Sequence, residues 1–240
     1  MTGFKPLPWD SEFFGRRIAV ASEASYTTET FYTMLDAAKE AGSECLYLLV
    51  SAADAHTLRL AQEAGSRLVD IRVLLTQRLA NSQHVSPDSQ RSIRRAREDE
   101  IDILVQMATD CFTHTRFYQD PGFTKAQCDA LYGTWIEKSC RGWAEAVLVA
   151  ESDKEPVGLI SCNLERDGRG KIGLVCVRGT ARGRGTGRQL VNAALDWFGE
   201  NAADRASVVT QGGNIAALHL FQRCGFAVTS IDVWFHLWFK

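Results

Sequence analysis

The chain lacks three features that would assign it to common classes of protein: a strong net charge, a long apolar run and closely spaced cysteines. Its 240 residues carry 27 Lys and Arg against 29 Asp and Glu, for a net charge of −2. A chain so nearly neutral is not suited to non-specific binding of nucleic acid. No apolar run approaches the roughly eighteen residues of a membrane span, and the first residues do not resemble a secretion signal. We therefore expect a cytoplasmic protein with neither a nucleic-acid nor a membrane partner.

The seven cysteines are odd in number and include no Cys-x-x-Cys pair. Free and mostly buried thiols are therefore expected in a reducing compartment, and no metal site is indicated. Cys176 precedes a glycine-rich segment and could serve as an acyl-accepting nucleophile, but such a thiol needs an adjacent base. No histidine lies near it in the sequence, which favours a core position for Cys176.

Residues 172–198 contain the most informative pattern of the chain. An apolar, β-branched run at 172–177 leads into a loop with four glycines, and apolar residues at helical spacing follow. The glycines are Gly179, Gly183, Gly185 and Gly187, and the helical positions are Leu190, Val191, Ala194, Leu195 and Phe198. A strand, glycine-rich loop and helix form a phosphate-binding arrangement, because glycine allows close backbone approach and helix-start N–H groups attract an anion. A plain turn that begins a surface helix is the alternative.

Spacing excludes two well-known phosphate loops. A nucleoside-triphosphate loop needs Lys and then Ser or Thr after its last glycine, whereas Arg188 and Gln189 follow Gly187. The dinucleotide fingerprint places glycines at relative positions one, three and six, and Arg188 takes the third of these places when the count starts at Gly183. The pattern that remains is Arg182-x-x-Gly185-x-Gly187.

A second block lies downstream, after a stretch at 206–211 that predicts a strand. It reads Asn214-x-Ala216-Ala217-Leu218-x-x-Phe221-x-x-Cys224-Gly225-Phe226. Asn214 is suited to cap the start of a helix, and Gly225 is suited to the left-handed position that ends one. The loop and this block together resemble the GNAT N-acetyltransferases, whose loop reads Gln/Arg-x-x-Gly-x-Gly/Ala and whose block reads Asn-x-x-Ala-x-x-x-Tyr-x-x-x-Gly-Phe.

The resemblance implies an α/β (α+β) GNAT fold, in which helices flank a twisted mixed sheet, and it implies acetyl-CoA as the cosubstrate. In the family, the pyrophosphate of the coenzyme lies at the glycine-rich loop and the pantetheine arm lies along the preceding strand. The downstream Asn block adds a further contact. The implied coenzyme-binding residues are Leu174, Val175, Val177, Arg182, Gly183, Arg184, Gly185, Thr186, Gly187, Arg188, Asn214 and Ala217.

The resemblance also implies direct attack of a neutral amine on the thioester, without a covalent enzyme intermediate. The tyrosine that often acts as the acid corresponds to Phe221, which cannot donate a proton. The acid role therefore passes to another group, to water, or is absent. Asp70 aligns with a carboxylate that faces the acceptor amine in related enzymes, although an exposed Asp at a strand end is the alternative. His114 and His219 are further candidates, and His219 is interpreted as a surface residue.

Within the family, the chain resembles enzymes that acetylate a 4-amino-4,6-dideoxyhexose linked to dTDP. The similar segments are residues 9–15, residues 114–142, and the Asn214 block with the aromatic tail at 233–235. Arg116, Phe117 and Tyr118 are then candidates for binding the acceptor, although aromatic residues at such spacing are as typical of a core. The alternatives are another small amine, an amino acid, a protein N-terminus or an aminoglycoside as acceptor, and a non-catalytic acyl-CoA-binding protein. A homodimer is left open.

The polar stretch at 81–90 predicts a linker between an N-terminal domain at 1–80 and a full GNAT domain at 91–240. The pattern Leu58-x-Leu60-x-Gln62-x-x-Gly65 recurs as Leu218-x-Leu220-x-Gln222-x-x-Gly225. The first eighty residues therefore resemble a truncated copy of the GNAT C-terminal half without its phosphate loop. Chance similarity between two helix–glycine–strand units is the alternative. In the second domain, we expect strands at 92–97, 144–150 and 157–164 and helices at 99–112 and 127–139.

Overall fold

The computed structural model describes residues 3–79, 93–112 and 115–239, which form one mixed sheet with helices on both faces. The strands of this part of the chain are β1 (Phe4–Pro6), β2 (Ile18–Ala21), β3 (Cys45–Ser51), β4 (Arg67–Arg78), β5 (Ile93–Arg95), β6 (Ala146–Ser152), β7 (Glu155–Leu164), β8 (Gly170–Val177), β9 (Arg205–Gln211) and β10 (Ala227–Trp238). The helices are α1 (Pro8–Phe14), α2 (Thr28–Glu40), α3 (Ala55–Glu63), α4 (Ile101–Cys111), α5 (Arg116–Gln119), α6 (Lys125–Lys138), α7 (Thr186–Glu200) and α8 (Ile215–Arg223). The predicted linker at 81–90 and His114 lie outside the described residues.

Side chains alternate along the strands and divide the core into two layers. In β3, Leu46, Leu48 and Val50 pack on one face of the sheet, whereas Cys45 and Tyr47 pack on the other. Such alternation of two apolar sets is expected of a strand that is buried on both faces. Helices α2, α3, α7 and α8 cover the first face, and helices α1, α4, α5 and α6 cover the second face. The predicted fold class is confirmed.

The strand order shows that the two halves of the chain exchange their last strands. The order is β1-β2-β3-β10-β4-β9-β8-β7-β6-β5. Strand β10 lies between β3 and β4 of the N-terminal half and is antiparallel to both. Strand β4 in turn lies between β10 and β9, and it pairs with β9 from Arg72 to Arg78. The longest strands of each half therefore make their hydrogen bonds with the other half.

The predicted internal repeat is present in the structure. The elements β3, α3 and β4 begin at residues 45, 55 and 67, and β9, α8 and β10 begin at residues 205, 215 and 227. Asp54 caps the start of α3 as Asn214 caps the start of α8. Gly65 and Gly225 follow the two helices with φ of 78° and 93°, the left-handed region that glycine adopts without penalty. The first half therefore repeats the strand–helix–glycine–strand unit of the second half.

Local capping explains where the observed helices differ from the predicted ones. Helix α6 begins at Lys125 because Thr124 Oγ1 accepts from the Gln127 N–H and Gln127 Oε1 accepts from the Thr124 N–H. This reciprocal pair satisfies two donors at the helix start. Helix α4 begins at Ile101 because Glu98–Glu100 form a separate 3₁₀ turn. The expected strands in this region are present, each displaced by at most a few residues.

The expectation of seven free thiols is wrong for two of them. Cys111, at the end of α4, and Cys176, in β8, form a disulfide with their Cα atoms 5.7 Å apart. The two residues are 65 positions apart in the chain, so no short spacing indicates the pair. Cys176 is 2% exposed, in agreement with the core position that the sequence favours. The other five cysteines are free.

Candidate active site

The glycine-rich segment forms a loop between β8 and α7. Gly183 and Gly185 have φ of 75° and 83°, so both positions require the left-handed conformation that favours glycine. Apart from the chain neighbours, a Cβ placed on either residue would meet no atom of the described part of the chain within 4 Å. No side chain caps the start of α7, and its first N–H groups are therefore available to an anion. Open space and unpaired donors at this helix start fit the pyrophosphate of a coenzyme.

A cavity of about 750 Å³ lies between this loop and α8. Most of the predicted coenzyme-binding residues line it, and so does the residue at the position of the family's tyrosine. They are Val175, Val177, Arg182, Gly183, Gly185, Thr186, Gly187, Arg188, Asn214, Ala217 and Phe221. His219 is exposed, as expected of a surface residue, but it also lines the cavity.

The cavity occupies a gap in the sheet. Strands β8 and β9 are paired only from Gly170 to Ile172 and from Ala206 to Val208, and they separate beyond these residues. The cavity walls include Cys111 of α4 and Leu220 of α8, which belong to helices on opposite faces of the sheet. A ligand in this gap can therefore reach both faces.

Three of the predicted coenzyme contacts have a different or an additional role in the structure. Leu174 does not line the cavity but packs on the second face, and its N–H donates to Ser161 Oγ at 2.8 Å. Arg184 lines a neighbouring hollow together with Glu151 and Glu155. Gly187 lines the cavity and is also a packing glycine, because a Cβ there would lie 3.1 Å from Leu220 Cδ2.

Residues at the start and in the middle of α8 border the cavity, as the sequence pattern from Asn214 to Phe226 predicts. Asn214 Oδ1 accepts a hydrogen bond from the Ala217 N–H at 3.1 Å, which confirms the predicted cap. Phe221 is 3% exposed and packs against Phe226, with the ring centroids 5.9 Å apart. The aromatic ring at this position therefore serves as cavity wall and core at once, and it offers no proton donor.

Asp70 lies on the other side of the gap. It is opposite Trp234 in the pairing of β4 with β10, so its side chain shares the second face of the sheet with Trp234. The last pair of β4 with β9 joins Arg72 to Gln211, and Asp70 therefore lies just beyond the end of β9. Burial raises the pKa of Asp70 to about 6, against the opposing effects of the Ile71 N–H and the Arg116 charge. A carboxyl with this pKa can exchange a proton near neutral pH.

Arg116 and Tyr118 are half-buried among the three predicted acceptor contacts, and the Arg116 guanidinium lies against aromatic rings. Its Cζ atom is 4.2 Å from the ring centroid of Tyr47, 4.4 Å from that of Phe117 and 4.4 Å from that of Trp234. Phe117 itself is 2% exposed and belongs to the core. The Tyr118 hydroxyl donates to Asp129 Oδ1 at 2.6 Å. Of the three, Arg116 carries a charge that lowers the pKa of Asp70.

The residues around Arg116 that sequence reasoning missed are Tyr47, Asp120 and His236. Their positions are 70 or more residues apart in the chain, so no motif joins them. One signal was present in β10, where Trp234, His236 and Trp238 alternate with Val233, Phe235 and Leu237. The alternation gives one face of this strand an aromatic and polar character, which is unusual for a buried strand.

No group of three or more His, Cys, Asp or Glu side chains in the described part of the chain could hold a metal ion. Among the same residues, no helix combines the length and apolar character needed to cross a membrane.

Comparison with known proteins assigns this arrangement to a family. The family model described as "Acetyltransferase (GNAT) family" matches residues 102–226, which include the loop, α7, β9 and α8. The chain belongs to the GNAT acetyltransferase family. Enzymes of this family use acetyl-CoA as the acetyl donor, and the protein is accordingly an acyltransferase.

Three similar proteins illustrate the extent of the likeness. The dTDP-fucosamine acetyltransferase of Escherichia coli O6:H1 is 27% identical over 234 residues, which cover 97% of this chain and 96% of that protein. The spore coat polysaccharide biosynthesis protein SpsD of Bacillus subtilis is 23% identical over 139 residues, 58% of this chain and 48% of that protein. A GCN5-related N-acetyltransferase structure from Sphaerobacter thermophilus has a TM-score of 0.66 at 16% identity and covers 98% of this chain and 76% of its own.

Proposed function

We propose that this GNAT enzyme transfers an acetyl group to the amine of a nucleotide-linked amino sugar, in particular a dTDP-linked 4-amino-4,6-dideoxyhexose. The observation that carries the proposal is the likeness to dTDP-fucosamine acetyltransferase, which extends over 97% of the chain and so includes both halves. In this chain, the N-terminal half supplies Asp70 on the face of the sheet opposite α7 and α8. The acceptor would therefore enter from the second face, and the coenzyme would lie along the first.

The residues of the loop supply the coenzyme site in this proposal. The start of α7 and the side chains of Arg182 and Arg188 would hold the pyrophosphate, and β8 would hold the pantetheine arm beyond its last pair with β9. Bound acetyl-CoA would supply the thioester carbonyl that the amine attacks. The gap between β8 and β9 sets the place where the two substrates meet, and such alignment contributes a large part of the rate.

Asp70 is the proposed base. An acceptor ammonium must lose a proton before its nitrogen can attack, and a carboxylate beside the gap can take it. The Asp70 carboxyl must itself be ionised to do so. Because its pKa is raised to about 6, the base form is lost as the pH falls through 6.

Turnover with a panel of amines tests the acceptor. We expect the dTDP-linked amino sugar to give a kcat/KM at least about a hundredfold above that of the same sugar without the nucleotide, about 2.7 kcal/mol of transition-state stabilisation. Release of the CoA thiol and the mass of the product provide the measurement. Preference for a free amino acid, an aminoglycoside or a peptide N-terminus would overturn the sugar-nucleotide assignment and leave the family assignment intact.

The pH profile of Asp70→Asn tests the base. In the native enzyme, kcat/KM should fall below pH 6 as Asp70 becomes protonated, which gives the pH profile an acid limb. The variant should lose this acid limb. It should also lose most of its activity at every pH below that at which the amine deprotonates without a base. Asp232→Asn is the matched control, because Asp232 is a half-buried carboxylate of the neighbouring strand and bonds Arg72 at 2.7 Å. If Asp70→Asn keeps the acid limb, or Asp232→Asn loses it equally, Asp70 is not the base.

A further inference from the structure

A row of three polar groups, two of them buried, connects α5 and the loop after it with β10. Arg116 Nη1 lies 3.1 Å from His236 Nε2, and His236 Nδ1 lies 2.6 Å from Asp120 Oδ2. His236 and Asp120 are each 1% exposed. Buried polar groups are retained where each has a partner, and these three residues satisfy one another in series.

The donors in this row fix the protonation of the histidine. A guanidinium can only donate, so His236 Nε2 accepts from Arg116 and the proton of the ring lies on Nδ1. The Nδ1–H then donates to Asp120. Burial lowers the pKa of His236 to about 4, although the Asp120 carboxylate opposes the shift. The ring is therefore neutral at pH 7 and joins the carboxylate to the guanidinium.

Asp120 is held as a carboxylate by three donors. Its Oδ2 atom also accepts from Trp238 Nε1 at 2.9 Å, and its Oδ1 atom accepts from the Gly122 N–H at 2.9 Å. These hydrogen bonds keep the pKa of Asp120 below its usual value despite burial. A buried charge with this many partners is a fixed anchor rather than a mobile group.

Aromatic rings restrict Arg116 in the remaining directions. Tyr47, Phe117 and Trp234 lie within 4.4 Å of the guanidinium carbon. The His236 ring in turn stacks on Tyr47, with the centroids 4.3 Å apart. Cation–π contacts hold a guanidinium over a ring, and the hydrogen bond to His236 sets its rotation in that plane.

The guanidinium so held contacts Trp234, the cross-strand neighbour of Asp70, and its charge lowers the pKa of Asp70. The other titratable groups that face Arg116 are Asp10 on α1, Cys45 and Tyr47 on β3, Tyr132 on α6, and His236 on β10. Of these five groups, the Asp10 carboxyl is the one that can carry a negative charge near neutral pH. Its pKa is raised by burial, as that of Asp70 is, and the Arg116 charge opposes the shift.

We propose that Asp120 and His236 are positioning residues of the acceptor site, which hold Arg116 beside Asp70 so that this carboxylate stays charged and ready to receive the amine proton. The inference rests on the proposed function in that Asp70 is taken as the base. In the step concerned, an N–H bond of the acceptor ammonium breaks, an O–H bond forms on Asp70, and the electron pair stays on nitrogen for attack.

The test measures the titration of Asp70 directly, by NMR of protein labelled with ¹³C in the aspartate carboxyls and assigned with Asp70→Asn. His236→Phe keeps a ring to stack on Tyr47 but removes both hydrogen bonds. We expect the Asp70 midpoint to rise by about one pH unit or more, the equivalent of about a tenfold change in proton affinity. The acid limb of kcat/KM should move upward with it, while KM for acetyl-CoA stays unchanged.

Two further variants separate positioning from a merely structural role. His236→Gln, whose amide can accept from Arg116 and donate to Asp120, should return the midpoint towards that of the native protein. Glu151→Gln should leave it unchanged, because Glu151 bonds Arg94 at 2.7 Å in a half-buried ion pair at the far end of the sheet. An unchanged Asp70 midpoint in folded His236→Phe, or an equal rise in Glu151→Gln, overturns the proposal.

Asp120→Asn decides the matter if His236→Phe does not fold. Loss of a nearby negative charge by itself lowers the Asp70 midpoint, whereas loss of the anchor for Arg116 raises it. A rise supports the proposal and a fall overturns it. If no amine in the panel is acetylated, the proposed function fails, but the NMR titration still shows whether Asp120 and His236 position Arg116.

Discussion

At the scale of single residues, Gly185 shows how a backbone requirement and space for a ligand coincide. Its φ of 83° disfavours any side chain, yet, apart from its chain neighbours, no atom of the described residues lies within 4 Å of a Cβ placed there. We expect Gly185→Val to bind CoA at least about tenfold more weakly, about 1.4 kcal/mol, because the side chain fills the space in front of α7. Calorimetric titration with CoA measures this.

Gly168 provides the matched control for Gly185. It has φ of 81° and open space at its Cβ, but it lies in the turn between β7 and β8, away from the loop. Gly168→Val should cause a similar loss of stability from backbone strain and no loss of CoA affinity. Equal CoA affinity in native protein and folded Gly185→Val would remove the loop from the coenzyme site.

Phe221 poses a second question at this scale, since the family often has tyrosine here. We expect Phe221→Tyr to raise kcat by less than about tenfold, because an added acid assists a CoA thiolate that already leaves moderately well. The ring volume is nearly unchanged, so a collapse of activity is not expected. Steady-state kinetics provides the measurement, with Phe226→Tyr as control in the contacting ring. Loss of CoA binding by Phe221→Tyr would show that this part of α8 does not face the coenzyme sulfur.

At the scale of elements, the two repeated helices allow structure and function to be separated. Asn214 caps α8 at the cavity, and Asp54 caps α3 in the half without a phosphate loop. Asn214→Ala should lower the free energy of unfolding by roughly 1 kcal/mol, and Asp54→Ala should also lower it. Only Asn214→Ala should also raise KM for acetyl-CoA. Thermal unfolding and kinetics of the two variants check this, and equal KM values would show that Asn214 is a cap alone.

The same comparison explains why the glycine-rich loop of the second half has no counterpart in the first half. Glu23, Ser25 and Thr27 stand 160 residues before Gly183, Gly185 and Gly187. The Thr27 side chain accepts from the Thr30 N–H at the start of α2, so this helix start is satisfied within the protein. A carboxylate at the first of these positions would in addition repel a phosphate.

At the scale of the whole molecule, strand exchange couples the two halves. A fragment of residues 86–240 would lose β4 from between β9 and β10 and would also lose β3, the other partner of β10. Unpaired strand edges of this length favour aggregation. We expect neither residues 1–85 nor residues 86–240 to unfold cooperatively alone, and we expect the two fragments to regain CoA binding when they are expressed together. Circular dichroism melts and CoA titration test this.

The two-domain division at 1–80 and 91–240 stays a prediction, and the fragment experiment bears on it. An isolated fragment of 86–240 that folds and binds CoA would show that the C-terminal half is an independent domain despite the shared strands. The acetyl-transfer activity of this fragment would then also show whether the N-terminal half is needed for the reaction. We expect that it is needed, because Asp70 lies on β4 of that half.

The local sequence was sufficient for the helices and strands that we expected between residues 92 and 226 and for the loop in front of α7. These features depend on contacts between residues a few positions apart: glycines in a tight loop, Asn214 bonded to the Ala217 N–H, and apolar residues at helical or strand spacing. Residues 58–65 and 218–225 are similar for the same reason, because each forms a helix that ends before a glycine.

The polar cluster of Arg116, Asp120 and His236 was decided only by tertiary structure. Asp120 and His236 are 116 positions apart and Arg116 and His236 are 120 positions apart, and neither pair belongs to a periodic pattern. The Cys111–Cys176 disulfide and the exchange of β4 and β10 between the two halves likewise depend on contacts between distant parts of the chain. Such pairings arise when burial of two distant surfaces outweighs the entropy lost on closing the chain between them, and a linear sequence does not display which surfaces will meet.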